Sequence, residues 1–178
     1  MPSIYLSPST QEFNPYIIGG NEEYYMNLIA DAMEPYLIAS GISFNRNRPD
    51  MTAASSIVES NKGNYDLHLA LHSNASADGT ARGSEVYYYQ NSTAGKRAAD
   101  IFANNLKLIY PLPEKVKTVP TVALGEVRRT RAPAVLIEIA YHDNVDDAIW
   151  IRDNINKIAE NISASVADFL GVDFVVPN

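Results

Sequence analysis

Two stretches of this chain, Tyr65 to His72 and Ala134 to Ala140, are nearly unbroken runs of apolar residues, interrupted by Asp66 and His68 in the first and by Glu138 in the second. Runs this short do not span a bilayer as helices, which takes about 20 residues. Apolar on both faces rather than alternating, they read as strands covered on each side, the situation of a parallel sheet sandwiched between helices. The segments around them agree. Ser3 to Leu6 reads as an opening strand, Ile42 to Asn45 as a second, and Gly83 to Gln90, rich in Val and Tyr, as a further one. Between them lie helical patterns. Asn21 is an N-cap for a helix carrying Met26, Ile29, Ala30, Met33 and Leu37 on one face, which Pro35 is expected to kink or shorten. Thr52 caps a helix to about Asn61, Thr93 to Tyr110 forms another, and Asp146 to Leu170 a long last one. Residues 114–133, with Pro120, Gly125 and Arg128-Arg129-Thr130-Arg131, read as a loop with one short strand. Strands alternating with helices give an α/β fold, a mostly parallel twisted sheet flanked by helices on both faces, as a single domain spanning residues 1–178.

Composition narrows the chemistry. With 14 Lys+Arg against 21 Asp+Glu and a formal charge of −7, the surface is a poor partner for nucleic acid or anionic membrane. There is no cysteine and there are 3 histidines, so disulfides, thiolate metal sites and cysteine nucleophiles are excluded, and a metal site must use His, Asp, Glu or amides. No basic leader with an apolar run opens the chain, which reads as soluble from its first residue; with a substrate outside the cytoplasm, release by lysis or another route is expected, or a leader that this sequence does not include.

In an α/β sheet, ligands gather beyond the carboxyl ends of the strands. Three places qualify: the loop after Leu6, the end of the strand at His72, and the strand carrying Glu138. Glu138 sits in Val-Leu-Ile-Glu-Ile-Ala, where an ionised carboxylate is desolvated unless it is paired, metal-bound or catalytic. A structural ion pair with a nearby arginine is the plain alternative. His72 opens a Ser-Asn-Ala loop, although a strand histidine is commonly just a satisfied core residue. Glu23 lies at a helix start, where the dipole favours a carboxylate in any case.

The order Glu23-Tyr-Tyr-Met-Asn27-Leu28, His72-Ser-Asn74-Ala75, Gly83-Ser-Glu-Val-Tyr-Tyr and Pro133-Ala-Val-Leu-Ile-Glu138 resembles the zinc-dependent N-acetylmuramoyl-L-alanine amidases of the amidase-3 type over nearly the whole chain. The resemblance implies a peptidoglycan substrate, cleaved at the amide between N-acetylmuramic acid and L-alanine, and a zinc ion. It also implies Glu23 and His72 as zinc ligands and Glu138 as the catalytic carboxylate. A monomer acting in a phage lysin, a spore enzyme or a host wall enzyme suits it equally.

The chain departs from the family pattern at one ligand. Where the family has a histidine after strand one, this sequence reads Ser7-Pro8-Ser9-Thr10-Gln11-Glu12. Threonine is a poor zinc ligand, which leaves Gln11 as the expected replacement, with Glu12 and His142 as alternatives, His142 also as a group holding the transition-state oxyanion. His68 lies roughly 13 Å from His72 along an extended strand, so both cannot bind one ion, and His68 is read as a core residue or one that supports the ligands. The rival readings are a peptidoglycan-binding module that has lost its metal and a zinc peptidase on the same scaffold.

Overall fold

The computed structural model describes residues 1–177. Its centre is a six-stranded sheet in the order β2-β1-β3-β6-β4-β5, made of β1 (Ser3–Pro8), β2 (Ser43–Arg46), β3 (Leu67–Asn74), β4 (Ser84–Tyr89), β5 (Val116–Thr121) and β6 (Ala134–Tyr141). The pairs β1–β2, β1–β3, β3–β6 and β4–β5 are parallel, and β4 runs antiparallel to β6. The two apolar runs become the adjacent central strands β3 and β6, as expected for strands covered on both faces.

The helices are α1 (Glu22–Ala39), α2 (Ala53–Ser60), α3 (Thr93–Leu106), α4 (Gly125–Arg128), α5 (Val145–Asp153) and α6 (Ile155–Leu170). They are shared unequally between the faces. One face of the sheet, through Leu67, Leu69 and Leu71 of β3 and Val135 and Ile137 of β6, packs on α1, α3 and α6 to form the main core. The other face carries a small cluster of Ala70, Val127, Ala134 and Leu136 under the short α2 and α4. A sheet face covered this thinly leaves its polar side chains reachable at the strand ends, and the site lies there.

Three local expectations change. α1 runs through Pro35 to Ala39 rather than ending at the proline; Pro35 and Asp31, whose carbonyl loses its helical partner, are both exposed, so the proline falls on the solvent side of the helix. The long last helix is two, α5 and α6, broken at Asn154, which adopts φ −126° and ψ 23° and donates its side-chain Nδ2 to the Trp150 carbonyl. Residues 114–133 hold a full edge strand, β5, followed by α4. Pro120 obscured that strand, but a proline is tolerated where no further strand needs its N–H.

Candidate active site

His72 and Glu138 are register partners on β3 and β6, and Glu85 of β4 is the register partner of Glu138. Partners in register point to the same face, so the three side chains form one row on the thinly covered side. Immediately beyond, the β3–β6 register shifts between His72 and Asn74, an extra residue of the kind that re-aims side chains near functional sites.

Both ring nitrogens of His72 face carboxylates. Nδ1 is 2.9 Å from Glu22 Oε1, and Nε2 is 2.9 Å from Glu126 Oε2. Glu22 is 1% exposed; it also accepts from Asn14 Nδ2 at 2.7 Å and from the Ser73 amide at 3.3 Å. Glu126, on α4, accepts from Ser7 Oγ at 2.6 Å and from His68 Nε2 at 3.2 Å. Gln11 places its Nε2 3.3 Å from His72 Nδ1, while its Oε1 accepts from Asn14 at 3.0 Å.

The structure therefore brings Gln11, His72 and Glu138 together and separates Glu23 from them. Glu23 lines a groove with Glu12, Asn27, Asp31 and Arg46 on the side of α1. Its neighbour Glu22 stands where the resemblance led us to expect Glu23. The physical reason is helical phase: Glu22 lies on the stripe of Met26, Ile29 and Met33 that faces the sheet, whereas Glu23 shares its row with Asn27 and Asp31. Glu12 turns into the same outer groove. His142 packs against Tyr16, with ring centroids 5.3 Å apart, and its Nδ1 engages Ser73 Oγ at 3.0 Å and the Ser73 carbonyl at 2.9 Å. Its Nδ1 is thereby engaged by Ser73. His68 supports Glu126, in line with a role behind the ligands. Sequence reasoning missed Glu22 and Glu126; the first was recoverable from the helical stripe, the second carried no local signal.

Charge in the site is strongly coupled. Burial disfavours charge on His72, but its hydrogen bonds to Glu126 and Glu22 prevail and hold its pKa well above the ordinary value. Burial likewise opposes ionisation of Glu22 and Glu126, yet hydrogen bonds from His72 and Asn14 to the first and from His68 and His72 to the second keep both below the usual carboxylate range. Glu138 behaves oppositely. Burial, aided by the negative charges of Glu22, Glu85 and Glu126 and opposed by His72, raises it to about 7. Its buried Oε2 has no hydrogen-bond partner among the described residues.

These groups line two lobes of about 300 Å³ each that share Gln11, Ala53, His72 and Glu126. One lobe extends over Pro8, Phe13, Met51 and Thr52. The other runs past Leu124, Arg129, Leu136 and Glu138. Of the three arginines of the basic run, only Arg129 reaches this groove; Arg128 and Arg131 bond the carbonyls of Val122 and Asn61. Tyr88 is core, and Tyr87 and Tyr89 pack on the small cluster.

Among the described residues, no three His, Asp or Glu side chains converge as a metal cage. The donors present still suit a cation. A carboxylate only accepts hydrogen bonds, so in the metal-free protein Nε2 donates to Glu126 and Nδ1 to Glu22, in keeping with the raised pKa of the ring. Without the proton on Nδ1, its lone pair and Glu22 Oε1 stand 2.9 Å apart. Two acceptors at that distance need a positive charge between them, either a proton or a metal ion. Donors sharing one zinc stand roughly 3–3.5 Å apart, as His72 and Glu22 nearly do. Gln11 joins them if its amide turns over to present its oxygen, giving up the Asn14 bond.

A family model described as N-acetylmuramoyl-L-alanine amidase matches residues 14–168. The chain is 30% identical over 163 residues to the N-acetylmuramoyl-L-alanine amidase LytC of Bacillus subtilis, an alignment that takes in 87% of this chain and 32% of LytC; the chain thus spans about a third of that relative. Its fold matches the catalytic domain of CwlV, an N-acetylmuramoyl-L-alanine amidase from Paenibacillus polymyxa, with a TM-score of 0.84 at 18% identity, covering 97% of this chain and 100% of that one. It also matches the amidase AmiC2 of Nostoc punctiforme, with a TM-score of 0.85 at 18% identity, covering 96% and 97% of the two chains. Row, groove and comparisons agree: this chain is a member of the Amidase_3 family of N-acetylmuramoyl-L-alanine amidases.

Proposed function

We propose that the chain hydrolyses the amide joining N-acetylmuramic acid to L-alanine in peptidoglycan, with zinc held by His72 Nδ1, Glu22 and the Gln11 amide oxygen. The observation that carries this reading is Glu138: a buried carboxylate with an unpartnered oxygen, raised to about 7, in one row with His72. A binding module has no use for such a group. What zinc supplies when bound is Lewis acidity, at the scissile carbonyl and at a water whose pKa it brings to about 7.

The remaining work falls to the side chains. Glu138 takes the proton of the attacking water as its oxygen bonds the carbonyl carbon, then gives that proton to the nitrogen as the C–N bond breaks, releasing a carboxylic acid and a free amine. A pKa near the working pH suits a group that must first accept and then donate. Because Glu138 has to reach the departing nitrogen, the stem peptide belongs in its lobe, with Arg129 as a cation for a peptide carboxylate. The sugar then lies in the lobe of Phe13, which is 74% exposed and offers an apolar ring face. Among the described residues no helix is long and apolar enough to cross a membrane.

Digestion of purified peptidoglycan tests this. The expected products are new N-terminal L-alanine amines, lost in Glu138→Ala. New reducing sugar ends, cleavage within the stem peptide, or wall binding without any new amine would each overturn the proposal.

A further inference from the structure

We propose that Glu126, anchored by His68, is a positioning residue that locks His72 with its proton on Nε2 and so aims Nδ1 at the metal. The inference rests on the zinc reading above and extends it to a residue outside the ligand set. Glu126 is buried at 4% exposure, on a four-residue helix, and each oxygen has a separate task. Oε2 faces His72 Nε2 at 2.9 Å, while Oε1 faces His68 Nε2 at 3.2 Å and Ser7 Oγ at 2.6 Å.

The proton assignment follows along the whole chain. Since Glu126 only accepts, His68 also carries its proton on Nε2, and its Nδ1 is free to accept from Ser60 Oγ at 3.0 Å. Tyr5 stacks on the His68 ring at 5.5 Å between centroids and fixes its plane. Every polar atom in Ser60, His68, Glu126 and the Nε2 side of His72 is satisfied in a single arrangement. His72 Nδ1 then faces Glu22 Oε1 at 2.9 Å and Gln11 Nε2 at 3.3 Å, the side on which a metal would take the place of the proton. His68 and His72 lie four residues apart on the same face of β3, so one strand presents both rings to one carboxylate. A carboxylate behind a ligating imidazole fixes its tautomer and raises its basicity. That support matters more here than with a third histidine ligand, since an amide oxygen is a weaker donor.

The experiment measures zinc affinity of the wild type and of Glu126→Gln by competition with a chromophoric chelator, with circular dichroism to confirm folding. The protonation of both histidine rings is read by nitrogen-15 NMR with and without zinc. The relay predicts a zinc Kd raised roughly 10–100-fold in Glu126→Gln. It also predicts that zinc-loaded wild type keeps the proton of His72 on Nε2. Unchanged affinity in a folded Glu126→Gln, or zinc bound through Nε2, overturns it. If Glu126→Gln does not fold, the wild-type NMR decides alone. If the wild type binds no zinc, the metal reading fails, and the relay is judged separately: an Nε2 proton held on His72 and on His68 in the metal-free protein above neutral pH supports it, and Nδ1 protonation of a neutral ring refutes it.

Discussion

Glu22 and Glu23 are adjacent, identical in type and both in the first turn of α1, yet the structure gives them opposite fates, and paired substitutions separate them. Glu22→Gln removes a charge that is 1% exposed and accepts from His72, Asn14 and the Ser73 amide. A hydrogen bond to a charged group contributes about 1.5–3 kcal/mol. Glutamine keeps one acceptor oxygen for His72 but turns an NH2 toward Asn14 Nδ2, so with the bond from Asn14 gone and that from His72 weakened, the metal-free protein should be destabilised by about 3 kcal/mol. For a chain of this length each kcal/mol moves Tm by about 2–4 °C, so a fall of roughly 6–12 °C is expected in a chelator-treated thermal melt. Glu23→Gln touches no buried partner and should stay within about 0.5 kcal/mol of wild type. In zinc titrations the same division is expected: Glu22→Gln loses most of the affinity and the amidase activity, and Glu23→Gln keeps both. Should Glu23→Gln abolish zinc binding while Glu22→Gln retains it, the helical-phase argument is wrong and the sequence motif alone marks the ligand.

Other consequences are open to measurement. Because Glu138 has its folded pKa raised to about 7, its stabilising effect is fully present below the unfolded value near 4.5 and is lost as pH rises through 7. Glu138→Gln in the metal-free protein should therefore match wild type at about pH 4 and be more stable at about pH 8, by up to about 3 kcal/mol; equal melting temperatures at both pH values would contradict the burial argument. The same substitution should lower kcat by roughly 10²–10⁴ while leaving zinc content intact. Gln11→His replaces a weak oxygen donor by imidazole, and isothermal titration should find tighter zinc binding; weaker binding would place the metal elsewhere. Arg129→Gln should raise KM for muramyl peptides with a free carboxylate on the second residue and spare the amidated form, and an equal effect on both would remove Arg129 from substrate recognition.

Much of this protein follows from local pattern. Unbroken apolar runs made β3 and β6 central strands, the Asn21 and Thr52 caps marked α1 and α2, and a carboxylate inside Val-Leu-Ile-Glu-Ile-Ala pointed to Glu138. Those signals are legible because burial on two faces, capping and desolvation act on residues close in the chain. Glu22 was legible too, since it falls on the apolar stripe of α1, but the motif spacing drew attention to its neighbour. Tertiary structure alone decided the rest. Glu126 meets His72 across 54 positions, carried there by a four-residue helix whose place is set by packing against β3, β4 and β6. No periodicity encodes such a pairing, because the free energy that holds it comes from charges brought together only after the sheet has formed. The same holds for His142: its bonds to Ser73, 69 positions away, exist only once the chain is folded.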